Sequence, residues 1–149
     1  MTPRETTGSA RLVHRWFEDL FTEGDLSVAD EILADDIDYR GPGTLSPATV
    51  DGPADVKEFV EVYRTAFPDL EYTVDAVAGA GEQFVVQWSA VGTHENAVFG
   101  VEPTGESFVV EGISVFVTDD GAITDVRAQW DTLKMVQELG SVSSDLGLE

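Results

Sequence analysis

The sequence predicts an α+β domain in which a curved antiparallel sheet closes like a cone over three N-terminal helices. Two observations carry that expectation. Apolar residues recur at helical spacing as far as Pro68, and beyond it Val, Phe, Trp and Ile gather in short runs separated by Gly and Asp. Nothing along the chain marks a second unit: there is no internal repeat, low-complexity tract or linker, so residues 1–149 read as one domain with a core from about 10 to 140.

The first helix is drawn by Leu12, Val13, Trp16, Phe17, Leu20 and Phe21, with charged residues between them and Gly24 as a stop. Ser27 with Asp30 three positions on resembles a capping box, and Ile32 and Leu33 give the short second helix its apolar side. Ile37 to Arg40 reads as a brief strand, followed by a loop through Gly41, Pro42, Gly43, Ser46 and Pro47. Pro53 suits a first helical position, and Val56, Phe59, Val60, Tyr63 and Phe67 then trace one face until Pro68. Strands are expected over Leu70 to Ala78, Gln83 to Thr93, Glu106 to Thr118 and Ile123 to Asp131, joined as a meander whose clearest turn is Asp120-Gly121. A closing helix runs from Thr132 to Leu139 and stops at Gly140, and Ser141 to Glu149 reads as a frayed tail.

Charge and composition narrow the function. The 149 residues carry 29 Asp and Glu against 8 Lys and Arg, a formal charge of -21, with no cysteine. A field of that sign repels nucleic acid and anionic membrane surfaces, and the missing thiols remove thiolate catalysis, disulfides and zinc ribbons. The acidic residues are spread over every segment, and 42% of the chain is apolar, so this is a folded protein with an acidic surface and not a disordered tail. At molar salt the Debye length falls to about 3 Å and such a surface stops repelling itself, which fits the cytoplasm of an extreme halophile. No run approaches the roughly 18 apolar residues of a membrane span, and the polar first residues do not form a targeting segment, so an intracellular protein is expected.

Inventory excludes most common sites. Neither Gly41-Pro42-Gly43 nor Gly79-Ala80-Gly81 continues into a phosphate loop, and no Gly-x-Ser-x-Gly elbow is present. The two histidines, His14 and His94, lie far apart, and Asp35, Asp36 and Asp38 lack the calcium-loop pattern, so no metal site is expected. What remains is carboxylate chemistry at the end of the last strand. Alternation puts Arg127, Gln129 and Asp131 on one face and Val126, Ala128 and Trp130 on the other. The polar face is either solvated or looks into a pocket between sheet and helices. In a pocket, desolvation would raise the Asp131 carboxyl toward neutrality, and Gln129 and Arg127 could donate hydrogen bonds to a developing oxyanion. His94 is a loop or pocket histidine. Trp88 is a core or pocket-wall residue, and Tyr39 and Tyr63 are core residues with a wet hydroxyl.

Several stretches resemble the SnoaL-like polyketide cyclase, or ester cyclase, family: Gly92-Thr93-His94-Glu95-Asn96-Ala97-Val98-Phe99-Gly100-Val101-Glu102-Pro103-Thr104-Gly105, then Trp130-Asp131-Thr132-Leu133 with Gln137-Glu138-Leu139-Gly140. Ala29 to Asp36 and Ala66-Phe67-Pro68-Asp69-Leu70 add to the likeness, which runs from about Leu12 to Gly140. The last strand departs from it, reading Asp125-Val126-Arg127 where the family often has Glu-His-Trp. The resemblance implies the nuclear transport factor two-like cone fold, commonly a homodimer, with an apolar pocket and no cofactor. It gives Asp131 the role of general acid and base in an intramolecular aldol ring closure, and His94 a place in the pocket. With Gln129, Arg127, Trp88, Trp130, Tyr39 and Tyr63 as further contacts, the expected partner is a small apolar carbonyl compound or ester. Two other readings of the same pocket stay open: a non-catalytic binding protein, and a hydrolase whose water is activated by Asp131.

Overall fold

A computed structural model describes residues 8–43 and 45–140; the tail read at 141–149 lies outside them. Helix α1 (Gly8–Arg15) continues without a break into a π-helical segment, Trp16–Thr22, followed by α2 (Ser27–Ile32) and strand β1 (Leu33–Arg40). Helix α3 (Pro53–Ala66) leads into β2 (Glu71–Ala80), β3 (Gln83–Thr93), β4 (Ser107–Asp119) and β5 (Ala122–Trp130), and α4 (Thr132–Glu138) closes the described chain. The helices cover one face of a five-stranded sheet of order β1-β5-β4-β3-β2, the cone-type α+β architecture the periodicity predicts.

Four strands form the expected antiparallel meander. The sheet as a whole is mixed, because β1 adds to β5 in parallel, and it is open, since β1 and β2 remain at opposite edges. The parallel edge follows from connectivity: β1 precedes α3, so the chain crosses the helical layer before the meander begins. Asp120 and Gly121 both have positive φ, 50° and 80°, as a two-residue type I′ hairpin turn requires. In β2 the register shifts between Val74 and Ala76, a bulge that bends the edge strand.

Three local expectations are corrected. The first helix widens after Arg15, where the Glu23 amide reaches the Glu18 carbonyl at 2.9 Å. Pairs four apart, Trp16 with Leu20 and Phe17 with Phe21, stay on one face in either geometry, so spacing did not reveal the wider turn. Ser27 does not box with Asp30. Asp25 accepts from the Ser27 amide at 3.2 Å and its hydroxyl at 2.6 Å, while Asp30 pairs with Lys57 at 2.7 Å. Leu33 belongs to β1, which is longer than the Ile37 to Arg40 stretch predicted.

Alternation along the central strands sorts the two faces. Phe84, Val86, Trp88 and Ala90 on β3, Phe108, Val110, Ser114 and Phe116 on β4, and Val126 and Ala128 on β5 point to the helices and are buried. They meet Trp16, Phe17, Phe21, Phe59 and Tyr63 in one aromatic core. Position 112 faces the same way by parity, and it is glycine because a Cβ there would stand 2.3 Å from the Trp88 ring.

Candidate functional site

The deep interior between sheet and helices is filled. Trp88 donates from Nε1 to the Ser114 hydroxyl at 2.9 Å and packs on Trp130 with ring centroids 6.0 Å apart. Tyr39 stacks on Trp16 at 6.1 Å. Burial holds its hydroxyl far above the usual phenol range, so it is a neutral group. The space left among Tyr39, Trp88, Trp130 and their aromatic neighbours is about 20 Å³. That is room for roughly one water molecule.

Asp131 does not project into this interior. It is exposed, follows the last residue of β5 and caps α4, its Oδ1 accepting from the Lys134 amide at 3.0 Å. Gln129 and Arg127 also lie on the outer face. Arg127 clips the sheet edge, donating to the Asp38 carbonyl and carboxylate at 3.2 Å each, with Asp125 at 3.5 Å. The expectation that these three polar side chains share a desolvated pocket is thereby corrected. Their parity places them opposite Val126 and Ala128, and turning β5 over would bury an Arg and a carboxylate while exposing those apolar residues.

His94 is where a pocket exists. The alternation of β3 carries one step beyond the strand, so that Trp88, Ala90, Gly92 and His94 all face inward, and His94 has no solvent exposure. Its amide donates to the Glu106 carbonyl at 2.9 Å, and its carbonyl accepts from Gly105 at 2.9 Å, extending the ladder with β4. The next residue is tied to α3 by a bond from the Glu95 amide to the Ala66 carbonyl at 2.9 Å, and the Asn96 side chain donates to Thr65 at 2.8 Å. These clamps hold the imidazole 5.8 Å from the Phe67 ring, in the wall of a cleft of about 430 Å³.

The rest of that wall is Leu45, Val98, Phe99 and Val101 from the loops, with Val136 of α4 and Leu139 just beyond it, so among the described residues His94 is its one titratable group. The Thr104 amide approaches Nδ1 at 3.4 Å, a contact that favours the tautomer with the ring proton on Nε2. Nε2 is buried and has no hydrogen-bond partner. An unpartnered buried donor costs about 1–3 kcal/mol, and a ligand oxygen reaching it would recover that. Tyr63 braces the cleft from the side: its hydroxyl donates to the Leu45 carbonyl at 2.6 Å, and its ring meets Phe99 at 5.7 Å and Trp130 at 6.5 Å.

The predicted site residues are therefore divided. Tyr39, Trp88 and Trp130 surround the small interior void, His94 lines the cleft with Tyr63 beside it, and Arg127, Gln129 and Asp131 lie outside both. Leu45, Phe99, Val136 and Leu139 join the site from outside the predicted set. Their signal was available in part, since Val98, Phe99 and Val101 are apolar residues in an otherwise polar loop, and Val136 and Leu139 are three apart on one helix.

Comparison with known proteins places this architecture. A model of the SnoaL-like polyketide cyclases matches residues 11–139. No curated protein matches the sequence. Among solved structures, a protein of Jannaschia sp. CCS1 proposed to be a SnoaL-like polyketide cyclase is 25% identical over 95% of this chain and 97% of its own, with a TM-score of 0.81. IdmH of Streptomyces antibioticus, proposed to be a polyketide cyclase, is 26% identical over 89% and 98%, with a TM-score of 0.77. TsrD of Streptomyces laurentii, 23% identical over 91% and 96% with a TM-score of 0.79, has the same fold. The chain belongs to the SnoaL-like polyketide cyclase family.

Proposed function

We propose that the protein is a cofactor-independent cyclase acting on a small apolar carbonyl compound held in the His94 cleft. The observation that carries this is a cleft of about 430 Å³ whose walls are apolar among the described residues except for His94, a histidine with a buried and unpartnered Nε2. A carbonyl oxygen accepting from Nε2 is polarised, and the negative charge that develops when an adjacent carbon loses a proton is stabilised by the same bond. An apolar cleft keeps the substrate folded, so that the enolate carbon lies against the second carbonyl it attacks. Asp131 is the proposed proton acceptor and later donor. It is exposed and caps α4, the helix that supplies Val136 to the cleft.

The test is deuterium exchange at the central carbon of a 1,3-diketone in D₂O, followed by NMR. Exchange above buffer that is lost in His94→Phe supports the proposal; no exchange by the wild-type protein refutes it. Loss in Asp131→Asn assigns the proton acceptor, and retention overturns that role. A specific observation favours a second reading, a non-catalytic binding protein: among the described residues no carboxylate lines the cleft. Diketone binding without exchange would select it.

Self-association belongs to the same proposal. Val85, Val91, Val109 and Ile113 are exposed on the outer sheet face, between 39% and 54%, in a chain of charge -21. A second copy of that face would cover them. Sedimentation in high salt should show a dimer, and a monomer at all concentrations would exclude one.

A further inference from the structure

Phe99 occupies a backbone conformation that disfavours it. Val98 and Val101 exchange two backbone hydrogen bonds, at 3.0 and 2.8 Å, across a two-residue turn whose central residues, Phe99 and Gly100, have φ of 53° and 74°. Glycine or asparagine is expected at the first central position, and a bulky aromatic residue there is an outlier. The residue is 40% exposed, and its ring is held against Tyr63. A strained, partly exposed aromatic side chain at a turn tip is retained when the ring itself has a use.

That use follows from what lies on each side. Phe99 and Leu45 line the His94 cleft, and both also line a second pocket of about 210 Å³ bounded by Ser46, Thr49, Asp55, Glu58 and Phe59. Leu45 is fixed, because it is 4% exposed, its carbonyl accepts from Tyr63 and its amide donates to the Pro42 carbonyl at 3.1 Å. Phe99 is the less buried half of the partition.

We propose that Phe99 determines the length of substrate this protein accepts, by standing between the His94 cleft and a second subsite that would otherwise take an extended neutral arm. The second subsite selects against anions: its polar rim consists of two carboxylates and two hydroxyls, so it receives an uncharged or hydroxylated chain end and repels a carboxylate or phosphate. The inference rests on ligand binding in the His94 cleft.

The experiment measures Kd by tryptophan fluorescence for linear 2-alkanones from 2-hexanone to 2-tridecanone, with the wild type, Phe99→Gly and Phe99→Asn. Both replacements suit positive φ, so the Tm should be retained or raised. For the wild type, affinity rises about fourfold per methylene and then stops at the length that fills the cleft. In both variants the rise continues by at least two further methylenes, a gain of about tenfold or more for the long ketones, and a terminal carboxylate of equal length loses that gain. The same stopping length in all three proteins overturns the proposal while leaving binding at His94 intact. If no ketone binds the wild type, the proposed function fails with it.

Discussion

Replacing His94 by phenylalanine should stabilise the protein while removing its function. The imidazole is fully buried, Nε2 has no partner, and the contacts of Nδ1 with the Thr104 amide and hydroxyl are both long, at 3.4 Å. Relieving an unpartnered buried donor is worth about 1–3 kcal/mol, and losing two long hydrogen bonds returns about 1 kcal/mol at most. The ring is near in size to Phe and already packs on Phe67 at 5.8 Å, which limits strain. The net expectation is about 1 kcal/mol of added stability. For a domain of this size that raises the Tm by about 2–4 °C. Urea denaturation followed by tryptophan fluorescence measures it, and His94→Leu, which adds no ring, guards against an unforeseen clash. Destabilisation by more than about 1 kcal/mol in both variants would mean that Nε2 is satisfied in the folded protein, and the argument for a ligand-binding donor would fail. A residue whose removal stabilises the fold and abolishes exchange is the signature of a site kept for function at the expense of stability.

Gly112→Ala should cost about 2–4 kcal/mol, because its Cβ would stand 2.3 Å from the Trp88 ring and force that ring off its bond to Ser114; a loss under about 0.5 kcal/mol would show that the ring has room. Asp131→Ala should lose about 1 kcal/mol with the cap of α4 and loosen ketone binding, whereas Asp131→Asn, an equally good cap, should hold stability within about 0.5 kcal/mol by denaturation. The Asp69 carboxyl is lowered below its usual range chiefly by the Thr93 amide at 2.8 Å, with the Thr93 hydroxyl adding to it. Its stabilisation is therefore present above the unfolded value near 3.9 and fades as pH falls below it; Asp69→Asn should be less stable at pH 7 by about 1 kcal/mol or less and converge with the wild type at about pH 2, as thermal melts across pH would show. The Tm should rise by several degrees from dilute buffer to molar potassium chloride, and no rise would remove the halophile expectation.

Periodicity alone gave the layer order and nearly every element, because the apolar spacing of Val56, Phe59, Val60 and Tyr63 and the alternation of Phe84, Val86 and Trp88 record which side of each element is buried. The same alternation separated Arg127, Gln129 and Asp131 from Val126 and Ala128, and the quoted motifs pointed to the family and to His94. Which face of β5 looks inward was decided by tertiary packing, since burial of Ala128 or of Gln129 depends on strands more than a dozen residues away. Packing also filled the cone with aromatic rings, paired β1 with β5 in parallel, and assembled a cleft from Leu45, His94, Phe99 and Leu139. Spacing reports the solvent preference of each residue along one element. A cavity is the volume left where several elements fail to meet, and that is a property of their sum.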